Sequence, residues 1–207
     1  MTESKAEKTK KNLLDYAKAE FTRHGFAEAN MRTIAHKAGL TTGAIYRYFP
    51  DKNALFSALV GPAAEEIKQH FDALARHQLT MLENNNRIED FVASSEGMLA
   101  VVDFIYSRYE AFDLLINRSA GSSWEHYIDS LIESDLASTQ AYFAKMVDMK
   151  LLAHRPEPRY LALLVKQSFK QVLEIVTSHM RREEALDYMK LLIPFLYAGW
   201  RTVLEGN

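Results

Sequence analysis

The strongest constraint on the fold lies in residues 31–52, which read MRTIAHKAGLTTGAIYRYFPDK. Apolar residues recur there at helical spacing on either side of Gly39, and glycine favours the left-handed conformation that ends a helix. Thr41 is a good N-cap for a second helix, and Pro50 prevents that helix from continuing normally. The stretch therefore predicts two short helices joined by a tight turn, the second about two turns long.

The residues before this stretch predict one further helix. Residues 5–24 carry an apolar stripe with lysines opposite, and Gly25 is placed to end the helix. Asn30 is a suitable N-cap for the helix that follows. The three helices would form a small head whose predicted core consists of Leu14, Phe21, Ile34, Leu40, Ile45 and Phe49.

The charge of the chain is divided unevenly between this head and the remainder. The first 60 residues hold ten Lys and Arg against six Asp and Glu, and the other 147 hold fifteen against twenty-one. A basic head on an acidic body is typical of a protein that approaches a nucleic acid with one end.

The run IAHKAGLTTGAIYRYFPDKNAL also resembles a known family signature. It contains IA, two residues, AG, an aliphatic residue with a hydroxyl residue, and a short helix ending in Tyr-x-x-Phe with a Lys beyond. This pattern is similar to the N-terminal DNA-binding signature of the tetracycline-repressor (TetR) family, over roughly the first sixty residues. The matching positions are Ile34, Ala35, Ala38, Gly39, Leu40, Thr41, Tyr46, Phe49 and Lys52.

The resemblance implies a set of DNA contacts on the second helix and beside it. It places the Tyr46 hydroxyl on a phosphate and Lys52 as a clamp on the phosphate backbone, although Tyr46 or Tyr48 could instead pack on the first helix. Short side chains at the start of the helix read bases poorly, so Arg32 or Arg47 would carry more of the base reading. The DNA-binding residues are predicted to be Arg32, Thr42, Gly43, Tyr46, Arg47, Tyr48 and Lys52.

The rest of the chain continues at helical spacing, with no sustained strand-type alternation. The predicted fold is all-α: a three-helix head with a helix-turn-helix (1–52), joined by a fourth helix to a larger helical ligand-binding and dimerisation body (53–207). That fourth helix would be capped by Asp51 and extend to about residue 77, with a kink or break at Gly61-Pro62. Further helices are predicted over 87–107, 110–117, 123–149, 159–180 and 183–204.

The last two helices are apolar over much of their circumference, more than an intrachain core requires. The resemblance implies that they form a four-helix bundle with a second copy of the chain, although a purely intrachain core remains an alternative. The predicted dimer interface comprises Leu164, Phe169, Val172, Leu192, Leu196 and Trp200.

The middle of the chain is rich in methionine and aromatic residues, a composition that is more often plain core than a ligand site. The resemblance implies an effector pocket in this body, which would suit a small apolar or aromatic molecule. Its predicted lining is Met98, Val102, Tyr109, Trp124, Tyr127, Phe143 and Phe169.

Other classes of function find no support in the sequence. The chain has no cysteine, and its seven histidines show no metal-type pair on one helix face. No nucleophile arrangement, phosphate loop or carboxylate pair is recognisable, so no cofactor, metal site or enzymatic activity is predicted. The sequence contains neither a membrane-spanning run nor a signal peptide, which predicts a cytoplasmic protein without a membrane partner.

These observations predict a ligand-responsive transcriptional regulator, in particular a repressor. As a homodimer it would bind a near-palindromic double-stranded DNA operator and release it when a small-molecule effector moves the fourth helix. Two alternatives stay open. The body could bind a protein partner instead of a small molecule, or the chain could be a helical enzyme or carrier that retains the head.

Overall fold

A computed structural model describes residues 4–85, 95–152 and 155–205 of the chain. Over these ranges it contains nine helices and no strand, which confirms the all-α prediction. The helices are α1 (Lys5–Glu28), α2 (Met31–Lys37), α3 (Thr42–Ile45), α4 (Lys52–Asn85), α5 (Ser95–Ser107), α6 (Tyr109–Asn117), α7 (Tyr127–Asp148), α8 (Pro158–Thr177) and α9 (Arg182–Glu205).

The first helix begins with a reciprocal cap. The Glu7 amide donates to Ser4 Oγ at 3.2 Å, and the Ser4 amide donates to a Glu7 carboxylate oxygen at 2.7 Å. Gly25 interrupts the helical geometry where the sequence predicts an end, with a φ of 69° and a ψ of 171°. One further turn follows and ends at Glu28, so the break at Gly25 redirects the chain rather than ending α1.

The core of the head differs from the prediction at two of six positions. Phe21, Ile34, Ile45 and Phe49 are buried, whereas Leu14 and Leu40 are only partly buried. Leu13 is fully buried instead of its neighbour, because one residue turns a helix by 100° and moves a side chain to another face. Aromatic rings complete this core: the centroids of Phe21 and Phe56 lie 5.0 Å apart with the rings perpendicular.

The chain forms two compact units that do not follow the predicted boundary between residues 52 and 53. The first unit contains the residues up to Glu65 together with Arg108–Ile128, and the second contains Glu66–Ser107 and Asp129–Asn207. Hydrogen bonds explain why the start of α4 stays with the head: Trp124 Nε1 donates to Ser57 Oγ at 2.7 Å, and the Tyr127 hydroxyl donates to the Ala64 carbonyl.

The helix α4 is continuous through Gly61-Pro62 and extends to Asn85, eight residues beyond its predicted end. Its start carries the predicted cap, since Asp51 Oδ1 accepts a hydrogen bond from the Ala54 amide at 2.7 Å. A methyl group added at Gly61 would make an ordinary van der Waals contact with the Trp124 ring, at 3.7 Å. The first part of the helix predicted over 87–107 lies outside the described residues.

The second unit is built around an apolar cluster on α4, α7, α8 and α9, and α5 and α8 both pack against α9. Polar contacts tie α5 to the start of α9 and the turn before it: the Tyr106 hydroxyl donates to the Met180 carbonyl at 2.7 Å, and Arg182 lies 2.6 Å from Asp103. No helix among the described residues has the length and apolar character needed to cross a bilayer. The cluster consists of Leu82, Tyr142, Phe143, Met146, Leu161, Val165 and Leu204.

Candidate nucleic-acid interface and ligand cavity

The turn between α2 and α3 has the geometry that the sequence predicts. Gly39 has a φ of 71°, a conformation that glycine adopts without strain. The Leu40 amide donates to the Ala35 carbonyl at 2.9 Å and the Gly39 amide donates to the His36 carbonyl at 3.0 Å, which is a Schellman motif. This motif fixes the direction in which the chain leaves α2 and therefore the placement of α3 against it.

The helix α3 is shorter than predicted and is completed by turns. The Thr41 hydroxyl caps it by accepting a hydrogen bond from the Ala44 amide at 3.2 Å, and regular helical geometry ends at Ile45. The next three residues continue in turns, and the Phe49 amide still donates to the Ile45 carbonyl at 3.0 Å. Burial of Ile45 and Phe49 anchors this segment, and Tyr46 and Arg47 between them stay exposed.

Four of the seven predicted DNA-binding residues are exposed. Arg32, Gly43 and Arg47 are exposed, and the Tyr46 side chain, with 48% of its surface accessible, is among the most exposed large apolar residues of this unit. A side chain added at Gly43 would meet nothing within 4 Å, so another molecule could approach the backbone closely there. Thr42 and Tyr48 are partly buried.

Lys52 holds a structural position that the sequence does not reveal. Its ammonium group donates to the carbonyls of Ala27 at 2.9 Å and Ala29 at 3.2 Å, and lies 4.6 Å from the centroid of the Phe26 ring. Carbonyls at the end of a helix have no intrahelical partner, so Lys52 satisfies two acceptors that α1 leaves open. The predicted phosphate clamp is thus occupied with joining α4 to the end of α1.

A partly buried ion pair, which sequence reasoning missed, joins α1 to α2. Glu20 is 4% exposed, and its carboxylate lies 3.2 Å from the Lys37 ammonium group. Glu20 lies on the buried side of α1, between Ala17 and Phe21. A charged residue at a position expected to be apolar is the signal that could have identified the pair.

The second unit contains a cavity of about 310 Å³, bordered by α4, α5, α7, α8 and α9. This volume suits a small organic molecule. Four aromatic residues contribute to its wall, and the rings of two of them, Phe71 and Phe169, lie 5.3 Å apart between centroids. The indole nitrogen of Trp200 donates to Ser168 Oγ at 3.2 Å, which fixes the orientation of that ring.

The cavity wall differs in several positions from the predicted lining. Met98 and Phe169 border the cavity, whereas Val102 and Phe143 are buried elsewhere in the same unit. Tyr109, Trp124 and Tyr127 belong to the first unit and do not border the cavity, because the segment that carries them packs with the head. Four predicted dimer residues border it instead, namely Phe169, Val172, Leu196 and Trp200.

One carboxylate borders the cavity. Asp135 lies on α7, and burial away from water raises its pKa to about 6. The other charged residue of the wall, Arg76, is exposed to solvent. Among the described residues, no group of three His, Cys, Asp or Glu side chains is placed to hold a metal ion.

Comparison with known proteins identifies the family of the head. The family described as bacterial regulatory proteins, tetR family, matches residues 13–59, which include α2, the turn and α3. The head of the chain belongs to the TetR family. This confirms the resemblance seen in the helix-turn-helix sequence.

Curated relatives of this chain are named as regulators. A probable acrEF/envCD operon repressor of Escherichia coli is 37% identical over 79 residues, which are 37% of this chain and 36% of that protein. The chain thus spans about a third of that relative's length. An uncharacterized HTH-type transcriptional regulator of Bacillus subtilis, YdgC, is 29% identical over 157 residues, covering 72% of this chain and 76% of the relative.

A solved structure extends the similarity of fold to nearly the whole chain. The SmeT–triclosan complex aligns with a TM-score of 0.61 at 18% identity, covering 93% of this chain and 91% of that one. At this identity the likeness concerns the fold, and it includes the helical body as well as the head.

The body exposes an apolar face that differs from the predicted interface. Leu164 is exposed, but Phe169, Leu192 and Leu196 are buried within the unit. On α9 the two most exposed apolar residues each lie one position before a predicted one: Leu191 and Phe195 are 75% and 65% exposed. Periodicity shows that α9 has two apolar faces, but it does not show which one the chain covers itself. Tyr160 and Leu163 are also exposed on α8.

Proposed function

We propose that this protein is a ligand-responsive transcriptional repressor that binds a near-palindromic DNA operator as a homodimer. The observation that carries the proposal is the exposed helix-turn-helix surface with Tyr46 and Arg47 beyond α3 and Arg32 at the start of α2. The head is basic and the rest of the chain is acidic, which orients the head toward DNA.

The residues of this surface divide between two roles. Tyr46 and Tyr48 carry hydroxyl groups suited to phosphate oxygens, and such contacts fix the register of the protein on the duplex. The small residues at the start of α3 offer little to base edges, so Arg32 and Arg47, which can donate two hydrogen bonds to guanine, supply the sequence preference. Lys52 supports the surface from behind by holding the end of α1.

Dimerisation is proposed to occur through the exposed apolar face of α8 and α9. Leu191 and Phe195 are one helical turn apart and lie on the same side of α9, and Leu164 is exposed on the neighbouring helix. Burying such large apolar side chains favours association. Two heads then contact two half-sites, which compensates for the small reading surface of each α3.

The cavity is proposed to hold the effector that releases the protein from DNA. The helix α4 carries Phe71 and Leu74 in the cavity wall and begins at Lys52 in the head, so one continuous helix belongs to both regions. A ligand that shifts α4 would change the separation of the two heads. A difference of about 1–3 kcal/mol between the two states changes operator affinity roughly 5- to 150-fold.

Two findings support a small molecule over a protein partner as the effector. A body that binds only proteins would have no need of such a space, whereas this one has a cavity of about 310 Å³. A structure of the same fold, that of SmeT, is a complex with the small molecule triclosan.

The test begins with selection of bound sequences from a random duplex library, followed by fluorescence anisotropy on the selected operator. Arg47→Ala should weaken binding roughly 5- to 150-fold, since one good base contact contributes about 1–3 kcal/mol. Arg159→Ala, an equal charge change at an exposed position of α8, should leave the affinity unchanged. The proposal fails if no duplex is selected or if the two variants bind alike.

A further inference from the structure

The cavity in the second unit combines two features that together restrict its ligand. Phe71, Tyr142, Phe169 and Trp200 give it aromatic walls, and these faces attract both apolar groups and cations. Asp135 adds a carboxylate to the same wall. A cavity meant only for hydrocarbon would gain nothing from a desolvated carboxylate, because burial of an ionisable group is unfavourable unless a partner compensates.

The described residues around Asp135 supply no partner that compensates its negative charge, so the ligand would have to supply it. Burial raises the pKa of Asp135, and no ion pair or hydrogen bond to its carboxylate is found among the described residues. Arg76 is the other charged residue of the wall, but it is exposed and its guanidinium group is screened by water. The partly buried charge of the site is therefore negative.

We propose that this cavity selects amphipathic molecules that carry a protonated amine, with the Asp135 carboxylate receiving the ammonium group and the aromatic walls receiving the apolar part. The inference rests on the proposed function, in that it names the chemical class of the effector for the same cavity.

Three ligands with one ring system separate the possible chemistries. The amine 1-naphthylmethylamine offers an ammonium group, 1-naphthalenemethanol a neutral hydroxyl, and 1-naphthoate a carboxylate. In the cavity the ammonium group would form a charge-assisted hydrogen bond with Asp135 and would also be attracted to the aromatic faces. The hydroxyl gains one ordinary hydrogen bond, and the carboxylate places a second negative charge beside Asp135.

Isothermal titration calorimetry of the full chain at pH 8 measures the three affinities without DNA. At this pH Asp135 is ionised, because its pKa is about 6, and the amine is protonated. The amine should bind roughly 10-fold or more tightly than the alcohol, and the naphthoate should bind weakest of the three.

Two variants on α7 assign the preference to the carboxylate in the wall. Asp135→Asn keeps the shape and removes the charge, so the amine should lose its roughly 10-fold advantage while the alcohol binds as before. Glu133→Gln makes the same change at an exposed position two residues away that does not border the cavity, and should keep the preference. The neutral Asn removes a desolvated charge, so this variant is expected to fold.

Each outcome of these measurements either supports or overturns the assignment of Asp135. An amine preference that Asp135→Asn abolishes and Glu133→Gln retains supports the assignment. Tighter binding of naphthoate, an amine preference that survives in Asp135→Asn, or binding of none of the three molecules overturns it. Failure of the repressor proposal would appear separately, as absence of binding to any selected duplex, since the calorimetric measurement contains no DNA.

Discussion

The partly buried carboxylate of Asp135 leads to a quantitative prediction about stability and pH. Its pKa lies at about 6 in the folded protein against 3.8 in the unfolded chain, because burial disfavours the ionised form. A difference of about 2 pKa units corresponds to about 3 kcal/mol. Below pH 3.8 the carboxyl is protonated in both the folded and the unfolded protein, and its contribution to stability is fully present. As the pH rises through about 6, this contribution to the free energy of unfolding is lost. Above that pH the ionised side chain destabilises the fold by a constant amount.

The variant Asp135→Asn stays neutral at every pH and should not show this loss. The difference in unfolding free energy, variant minus parent, should therefore increase by about 2 kcal/mol between pH 4 and pH 7.5. The other titrating groups are common to both proteins, so the difference cancels their contributions. The Asn variant should be the more stable protein at neutral pH.

Urea unfolding followed by circular dichroism at fixed protein concentration is the appropriate measurement, because association also contributes to apparent stability. Glu133→Gln is the matched control, since it removes an exposed carboxylate from the same helix and should follow the parent at every pH. Parallel stability curves for Asp135→Asn and the parent would refute the reasoning, as would a variant that is less stable at pH 7.5 than at pH 4 relative to the parent.

Two further substitutions test contacts described above. Lys52→Met keeps the aliphatic stem but removes the ammonium group from the carbonyls of Ala27 and Ala29. Urea unfolding should show that the free energy of unfolding falls by about 1–2 kcal/mol. Unchanged stability with weaker DNA binding would instead support the role of Lys52 as a phosphate clamp. Phe195→Asp places a charge on the exposed apolar face of α9 and should give monomers in sedimentation velocity, whereas Lys190→Asp should sediment as the parent does. A dimeric Phe195→Asp protein would exclude this face as the interface.

Local chemistry is the part of the fold that the sequence predicts well. The caps at Asn30, Thr41 and Asp51 form because each short polar side chain can reach an amide two or three residues ahead, a geometry set within a few residues. The left-handed Gly39 follows for the same reason. Such interactions depend on sequence spacing alone and need no knowledge of the tertiary fold.

Contacts between distant parts of the chain are less accessible to sequence reasoning. Lys52 resembles a DNA-contacting residue by position, yet its ammonium group bonds to carbonyls 23 and 25 residues away. The aromatic residues Tyr109, Trp124 and Tyr127 have the composition of a pocket lining but pack with the head. Composition indicates that an apolar surface will be covered, while the identity of the covering element depends on how the helices are arranged.

The discontinuous first unit has a consequence for exchanging parts between related regulators. The segment Arg108–Ile128 contributes its Arg118 carbonyl to the Phe26 amide at 2.8 Å, as well as the bond from Trp124 to Ser57. A chimera that transplants only the N-terminal stretch would leave these partners mismatched. A chimera that exchanges both segments together keeps these hydrogen bonds. The part to be exchanged therefore comprises two segments of the chain rather than one.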